Sequence, residues 1–333
     1  MRDFNIEDWA DGIDIESNTI KRLRTEIRKL CRKIEKQQTT DCLLLKAVRE
    51  HASKFKPAKK LKAPKYKATK EEAWLCLSDW QIGKVTSTYN SEIAVKRIQK
   101  MTEEVKKILI ADKPAVLHII LQGDMVEGED IFPGQPFEID STLYQQALKT
   151  APELMAHVIT ELASVVKKVK VAGVHGNHGR SGRKNSGAAR SSNWDLVSYE
   201  MTRLLCDNAG LGNTEWDLTT HWYVMQTVAG HGIMCIHGDQ IGGGSPIPLA
   251  GIFKKAQGWR MNIPDWKYLS LGHFHTHASG VLNRDLYFFL SGSPESDNEF
   301  AAECLAQGGA AMQRLCFFTK EHGMVREHAL CLE

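Results

Sequence analysis

Five short polar clusters hold the residues of this chain that are best suited to chemistry. Their aspartate, asparagine, glutamine and histidine side chains offer the mixture of oxygen and imidazole ligands that first-row metals such as Mn, Fe, Zn and Ni accept. No cysteine occurs among them, which argues against a structural zinc site. In chain order the clusters are Asp79-Trp80-Gln81, Gly123-Asp124, Gly176-Asn177-His178, His237-Gly238-Asp239 and Gly272-His273-Phe274-His275.

Apolar runs precede these clusters and predict the strands that position them. Runs rich in β-branched residues lie at 73–79, 115–124 and 168–178, and segments with helical spacing lie between them at 91–111 and 141–167. This alternation predicts a parallel, buried sheet. Ligands bind beyond the carboxyl ends of strands in open α/β sheets, so we expect the five clusters to converge on one site.

After about residue 220 the predicted strands follow one another more closely. Short connections favour antiparallel pairing, so this half of the chain predicts a more antiparallel sheet. A Gly/Pro-rich and partly helical insertion is predicted at 240–266.

The order D-x-[H/Q], G-D, G-N-H, H-G-D and G-H-x-H resembles the calcineurin-like metallophosphoesterase superfamily from residue 73 to about residue 295. The resemblance implies an α/β fold in which a β-sandwich is flanked by helices (α/β/β/α). It also implies two divalent metal ions, with Mn expected first and Mg, Fe, Zn or Ni as alternatives. Asp124 would bridge the two ions; Asp79, Gln81 and His275 would complete one site, and Asn177, His237 and His273 the other.

The resemblance implies a different role for His178, which would bind no metal. It would contact the phosphate and protonate the leaving oxygen, a task for which imidazole is suited near neutral pH. One ligand departs from the family pattern, because Gln81 stands where the superfamily usually has histidine. A glutamine oxygen is a weaker ligand for zinc than imidazole, so the Asp79 site is expected to be labile, to prefer manganese, or to fill only with substrate.

The sequences of the loops after the second and third motifs help to distinguish between classes of substrate. Protein phosphatases of the superfamily carry an arginine after the second motif and an acidic residue after Gly-Asn-His, and GDMVEGED and GNHGRSGRKNS lack both. Arg180, Arg183 and Lys184 follow His178 instead, either as a solvated basic loop or as a phosphate track. The pattern is most similar to the DNA-repair exonuclease branch, where a further histidine often stands near the position of Glu127.

That similarity predicts a phosphodiester hydrolase acting on DNA or RNA. A phosphomonoesterase, or a phosphodiesterase for small molecules or cyclic nucleotides, would use the same metal site. A module that keeps the fold only for binding is a third alternative; the intact Gly176-Asn177-His178 cluster argues against it, and Gln81 argues slightly for it.

The charge of the chain is unevenly distributed. Residues 1–70 hold 19 Lys and Arg against 10 Asp and Glu, a balance of +9, whereas the remaining 24 and 30 give a balance of −6. We predict a basic helical segment at 1–53, a Lys/Pro-rich linker at 54–70 and a catalytic domain at 71–333. The linker either is only solvated or holds phosphates by counterion release. The helix has an a/d seam of about two heptads, which either packs on its own domain, forms a homodimer or lies on nucleic acid; its members are Ile20, Leu23, Ile27, Leu30 and Ile34.

The remaining sequence features predict a cytoplasmic protein without membrane association. No apolar run approaches the ~20 residues that cross a bilayer, and the acidic N-terminus differs from a signal peptide. The eight cysteines are scattered without a C-x-x-C pair, so we expect reduced thiols.

Overall fold

The computed structural model describes five stretches of the chain, residues 25–29, 64–182, 190–242, 247–295 and 310–333. The chain forms two compact units, Met1–Lys54 and Phe55–Glu333. In the first unit residues 25–29 are helical and include Ile27. The other seam residues, and residues 54–63 of the predicted linker, lie outside the described residues, so the homodimer and the phosphate-binding linker stay predictions.

The second unit alternates strands and helices in its first half and is dominated by strands in its second. The strands are β1 (Glu72–Leu77), β2 (Leu117–Leu121), β3 (Val169–Gly173), β4 (Thr214–Leu218), β5 (Tyr223–Val228), β6 (His231–Ile236), β7 (Tyr268–Leu271), β8 (Ala278–Asn283), β9 (Leu286–Leu290), β10 (Met312–Thr319) and β11 (Gly323–Cys331). The helices are α1 (Ser91–Asp112), α2 (Ala151–Ala163), α3 (Trp194–Asn208) and α4 (Leu249–Asn262). A helical turn (Leu143–Gln145) and a π-helical turn (Gln146–Thr150) lead into α2, and a 3₁₀ turn (Gln135–Phe137) lies before them.

The first sheet has the order β11-β10-β1-β2-β3-β4, and its strands β1 to β4 are parallel, as the alternating pattern predicts. The register places Leu75 beside Ile119 and Ile119 beside Val171. All three residues are buried, because helices and a second sheet cover the two faces of this parallel region. β10 adds to β1 in antiparallel orientation, with β11 at the edge.

The second sheet has the order β5-β6-β7-β9-β8 and is mixed. The antiparallel prediction holds for the β5–β6 and β8–β9 hairpins, but β6–β7 and β7–β9 are parallel. For β6 and β7 the reason lies in the insertion at 240–266, which contains α4 and forms a crossover between them. A helical crossover returns the chain in the same direction, so the strands that it joins run parallel. β9 runs parallel to β7 because β8 returns the chain between them and pairs at the outer edge of β9.

The two sheets pack face to face and share one hydrophobic core. Trp74 and Ile120 of the first sheet lie in one buried cluster with Cys235, Tyr268 and Phe289 of the second. The Trp74 indole Nε1 also donates to Gln226 Oε1 across the core at 2.8 Å, which satisfies two buried polar groups. On the outer face of the second sheet, Ile252 and Ala256 of α4 pack against its apolar residues. The result is the predicted β-sandwich flanked by helices.

Helix α1 shows how local sequence produces these elements. The Asn90 side chain caps its first turn by accepting from Ile93 N at 2.9 Å, and Lys113 ends it in a left-handed conformation. Beyond that end, the Tyr66 hydroxyl of the Lys/Pro-rich segment donates to Pro114 O at 3.0 Å. Residues at helical spacing on one face of α1 are buried, including Ile98, Met101, Val105 and Leu109.

Two further features bear on the sequence-based predictions. No helix in the described parts of the chain is both long and apolar enough to cross a membrane. The described cysteines are free thiols: Cys76, Cys206, Cys235 and Cys316 are buried, and Cys331 is exposed.

Candidate functional site

The predicted clusters converge where strands of both sheets end. Asp79 follows β1, Asp124 follows β2, and Asn177 and His178 follow β3. From the second sheet, His237 follows β6 directly and His273 follows β7 by two residues. The site therefore lies at the carboxyl ends of strands from two packed sheets.

One group of side chains is arranged as a metal site. Ligand atoms of Asp124, His237 and His273 all lie within 4.8 Å of one another. His237 Nε2 is 2.9 Å from Asp124 Oδ2 and 3.1 Å from Asn177 Oδ1. A carboxylate, an amide oxygen and two imidazoles thus meet, and Asp124 and His237 are buried. We refer to Asp124, Asn177, His237 and His273 as the first group.

The surroundings of the first group fit a divalent cation. His237 Nδ1 lies 2.9 Å from the Gln122 carbonyl, the contact that orients a metal-ligating histidine and leaves its Nε2 lone pair free. That Nε2 then faces two oxygen acceptors, and three lone-pair atoms this close repel one another unless a proton or a cation lies between them. The donor set is suited to borderline metals such as Mn, Fe, Zn and Ni.

Burial and the neighbouring charges of the first group shift the pKa values of its members. Burial by itself lowers the pKa of His237, but the Asp124 carboxylate outweighs it and raises that pKa to about 10. Burial and the neighbouring His237 lower the pKa of His273 to about 4, which keeps its imidazole neutral and able to ligate. Burial alone would raise the pKa of Asp124, yet His237 and His178 hold it well below its usual value. Acidic surroundings that attract a proton to His237 equally attract a metal ion.

The other predicted ligands form a second group of three residues, Asp79, Gln81 and His275. His275 Nε2 is 3.5 Å from Asp79 Oδ1, and its Nδ1 is 3.1 Å from Glu295 Oε2. Gln81 Oε1 accepts from Lys84 Nζ at 3.1 Å. The backbone N of His273 donates to Asp79 Oδ2 at 3.0 Å, which links the second group to the first.

Charges within the second group are closely paired. Burial by itself lowers the pKa of His275, but hydrogen bonds to Asp79 and Glu295 raise it to about 9. Burial raises the pKa of Glu295, but His275 and Lys84 outweigh it and lower that pKa to about 2. The carboxylate of Glu295 therefore stays ionised although its side chain has no exposed surface.

His178 lies beside both groups. Its backbone N donates to Asp124 Oδ1 at 2.7 Å, while its ring Nδ1 is 3.1 Å from a carboxylate oxygen of Glu127. Its Nε2 is 3.3 Å from the amide nitrogen of Gln81. Burial alone lowers the pKa of His178, but Glu127 and Asp124 together raise it to about 9. Glu127, which stands where the exonuclease branch often has a further histidine, holds the His178 ring in place.

The predicted phosphate-binding residues are only partly described. Arg180 is part-buried, its Nη2 lies 3.4 Å from the Ile131 carbonyl, and its buried Nε has no hydrogen-bond partner among the described residues. Burial lowers the pKa of Arg180, and Asp124 and Asp239 act in the opposite direction. Arg183 and Lys184 lie outside the described residues.

Sequence reasoning missed Asp195, which holds the loops of the first group together. Its buried carboxylate accepts from Asp124 N at 2.9 Å, Met125 N at 3.0 Å and Gly176 N at 2.8 Å. Burial and the neighbouring Asp124 raise the pKa of Asp195 to about 6. The sequence signal was present but local, since Asp195 follows the N-cap Asn193 and resembles an ordinary acidic residue in the first turn of a helix.

Lys84 and Glu295 were also missed. Lys84 follows Gln81 by three residues, whereas Glu295 comes from the segment after β9. Lys84 does not directly follow a strand end, and Glu295 follows β9 by five residues but lies outside the five clusters. Only the folded chain brings the two side chains together, at 2.8 Å.

Comparisons with known proteins find no matching family model and no matching curated protein. Among solved structures, the chain is similar to Vps29 from Chaetomium thermophilum, with 9% identity, coverage of 78% of this chain and 97% of that chain, and a TM-score of 0.35. It is also similar to 5'-nucleotidase from Candida albicans (13% identity, coverage of 71% and 47%, TM-score 0.33). A third is purple acid phosphatase PPD1 from yellow lupin (7% identity, coverage of 80% and 55%, TM-score 0.32). At these scores the similarities carry no argument about function, which is inferred below from the chain's own residues.

Proposed function

We propose that this protein is a metal-dependent phosphoester hydrolase whose substrates are phosphodiesters of nucleic acid. The observation that carries the proposal is the first group, in which four ligands of metal-binding type meet, with His178 beside them but held by Glu127. A residue so placed is available to act on a substrate bound at the metal. The calcineurin-like arrangement of motifs agrees with this division of roles.

Each residue of the site has a role in the proposed reaction. Asp124, Asn177, His237 and His273 would hold a divalent ion, which when bound would neutralise phosphate oxygens and activate water. His178 donates a proton to the leaving oxygen, because its raised pKa keeps the imidazole protonated at neutral pH. Glu127 fixes the orientation of the ring, because its backbone carbonyl oxygen and a carboxylate oxygen each lie 3.1 Å from Nδ1.

Two features beside the site favour nucleic acid as the substrate. Arg180, two residues after His178, is part-buried and carries a guanidinium that can bind a phosphate oxygen. Phe132 lies edge-on to His178 with ring centroids 6.5 Å apart, and Phe137 on the same loop is 94% exposed. Exposed aromatic rings near a phosphate site are suited to stacking on bases.

The proposal is tested with a substrate panel in the presence of Mn²⁺. We expect hydrolysis of bis-p-nitrophenyl phosphate and of labelled single- or double-stranded DNA or RNA, and loss of both activities after chelation. Hydrolysis of p-nitrophenyl phosphate alone would identify a phosphomonoesterase and contradict the diester assignment. No hydrolysis of any substrate by metal-loaded protein would contradict the catalytic proposal as a whole.

A second experiment addresses nucleic-acid binding by the basic segment. Replacing the lysines at 54, 56, 59, 60 and 62 by glutamine removes five positive charges in the full-length chain. If these lysines bind phosphates, the affinity for DNA or RNA should fall, and the slope of log affinity against log salt should flatten by about 0.7–0.9 for each phosphate that is no longer bound. Hydrolysis of bis-p-nitrophenyl phosphate should be unchanged. An unchanged salt slope would contradict a role for this segment in binding.

A further inference from the structure

A cation supplied by the chain itself, the Lys84 ammonium, already lies against the second group. Lys84 Nζ is 3.1 Å from Gln81 Oε1 and 2.8 Å from Glu295 Oε1. Its second contact with Glu295, to Oε2, measures 2.9 Å. Only 13% of the Lys84 side chain is exposed, so the ammonium is largely withdrawn from water. A cation in this position is held by directed contacts and not by a loose surface ion pair.

Glu295 is fixed so that it can hold this ammonium. Its side chain has no exposed surface, and its backbone N donates to Ser293 Oγ at 2.9 Å. Ser293 Oγ in turn donates to the Asp79 carbonyl oxygen at 2.7 Å. Glu295 is therefore tied to the same loop that carries Asp79 and Gln81. A buried carboxylate requires a charged partner, and Lys84 and His275 both lie against it.

The Lys84 ammonium contacts Gln81 Oε1, which is the atom through which Gln81 would bind a metal ion. Lysine is a donor only, so its contact with Gln81 Oε1 assigns that oxygen to the ammonium. The Gln81 amide nitrogen then faces His178 Nε2 at 3.3 Å. A divalent ion bound to the same oxygen would lie next to the ammonium, and the two positive charges would repel each other. The second group consequently does not fit a metal ion in the way that the first group does.

We propose that the centre binds a single divalent ion, at Asp124, Asn177, His237 and His273, and that the Lys84 ammonium takes the place of a second ion. The proposal rests on the proposed function for the first ion and adds the role of Lys84. Gln81 Oε1 then accepts from the fixed cation instead of ligating metal. Lys84 supplies one positive charge that does not dissociate, on the side of the site where the superfamily pattern places the other metal.

The experiment counts bound ions without relying on activity. The full-length protein is titrated with Mn²⁺ to millimolar free metal, and bound ions are counted by electron paramagnetic resonance from the loss of the free-ion signal. We expect one ion per chain and a spectrum without exchange coupling. Two ions per chain with a coupled spectrum would overturn the single-ion proposal and leave the proposed function standing. No bound ion would overturn both.

Variants identify the residue responsible. Lys84→Met removes the ammonium with little change in length and should raise the count to two, whereas Lys84→Arg should keep it at one. Lys96→Met serves as a matched control, because Lys96 is exposed and pairs with Glu92 on the surface of helix α1. His275→Ala should leave the wild-type count at one, and His237→Ala should abolish it. A folded Lys84→Met protein that still binds one ion, or loss of the ion in His275→Ala, would overturn the proposal.

Discussion

Gly176 provides a steric test of the first group, because any side chain there would enter the space of Asp124, a proposed metal ligand. A Cβ atom at this position would lie 2.0 Å from Asp124 Oδ1 and 2.5 Å from Asp124 N, whereas Cβ atoms essentially never approach other heavy atoms within 3.0 Å. The Gly176 backbone does not have a positive φ, so an alanine would meet no conformational penalty of its own. The effect of Gly176→Ala is therefore steric.

The size of the required shift follows from these contacts. The methyl group and the carboxylate must separate by at least about 1 Å, whereas metal–ligand distances tolerate deviations of about 0.2 Å. The two loops cannot simply move apart, because Gly176 N and Asp124 N both donate to the same Asp195 carboxylate oxygen, at 2.8 and 2.9 Å. We expect a loss of stability of about 1–3 kcal/mol, typical of overpacking. We also expect Mn²⁺ affinity to fall by about 10–100-fold.

Catalysis should suffer in the same variant, because a misplacement of about 1 Å commonly costs about 100-fold in rate. The assays are Mn²⁺ titration, thermal unfolding followed by circular dichroism, and hydrolysis of bis-p-nitrophenyl phosphate. Gly212→Ala is the matched control, since nothing lies within 4 Å of its Cβ position and its φ is also outside the left-handed region. If Gly176→Ala bound Mn²⁺ and turned over substrate as well as Gly212→Ala does, the placement of Asp124 in a metal site would be refuted.

Three further substitutions give separate expected outcomes. His178→Ala should keep the bound ion while kcat falls by roughly 10²–10⁴-fold, the usual contribution of a general acid; loss of the ion would make His178 a ligand instead. His237→Ala should abolish both metal binding and activity in a protein whose circular dichroism spectrum is unchanged, and retained Mn²⁺ would contradict its role. Glu72→Gln tests pH dependence, because the hydrogen bond from His118 at 2.7 Å outweighs burial and lowers the pKa of Glu72 below 4.5. A lowered carboxyl pKa stabilises the fold above the unfolded pKa and loses that effect as pH falls through the folded pKa. The unfolding free energies of wild type and Glu72→Gln should therefore differ at pH 7 and approach each other as the pH falls through the lowered pKa of Glu72; a difference that does not change with pH would reject the ionised carboxylate as its source.

The sequence predicted the parallel half of the fold well because the signals there are local. Apolar runs that end in polar clusters specify β1, β2 and β3, and helical spacing specifies the segments between them. The edge strands β4 and β8 were not predicted, because they alternate half-buried and exposed residues and lack a continuous apolar run. The parallel pairing of β6 with β7 depends on the crossover through α4, and strand spacing alone does not reveal it.

The residues of the candidate site also separate into those that local sequence predicts and those that depend on the folded chain. Residues that follow strand ends could be named in advance, because the carboxyl ends of neighbouring strands must converge. Asp195 and Glu295 could not, since each acts across the fold: one accepts from backbone groups of two loops, and the other meets Lys84 from 211 positions away. The role of a buried carboxylate depends on its partners, and sequence spacing does not identify them.

Backbone conformation identifies the centre independently of side-chain type. Eight described residues other than glycine have positive φ, and five of them are predicted ligands: Asp79, Gln81, Asp124, His273 and His275. Each such residue costs roughly 1–3 kcal/mol, which a fold retains only where surrounding contacts fix it. Here hydrogen bonds between the loops fix it, from Asp79 N to Gly123 O at 3.1 Å and from Gln81 N to Asp124 O at 2.9 Å. Gln81 has this strained conformation although its oxygen contacts Lys84, so the fold constrains the second group, beside the ammonium, as it constrains Asp124 and His273 of the first.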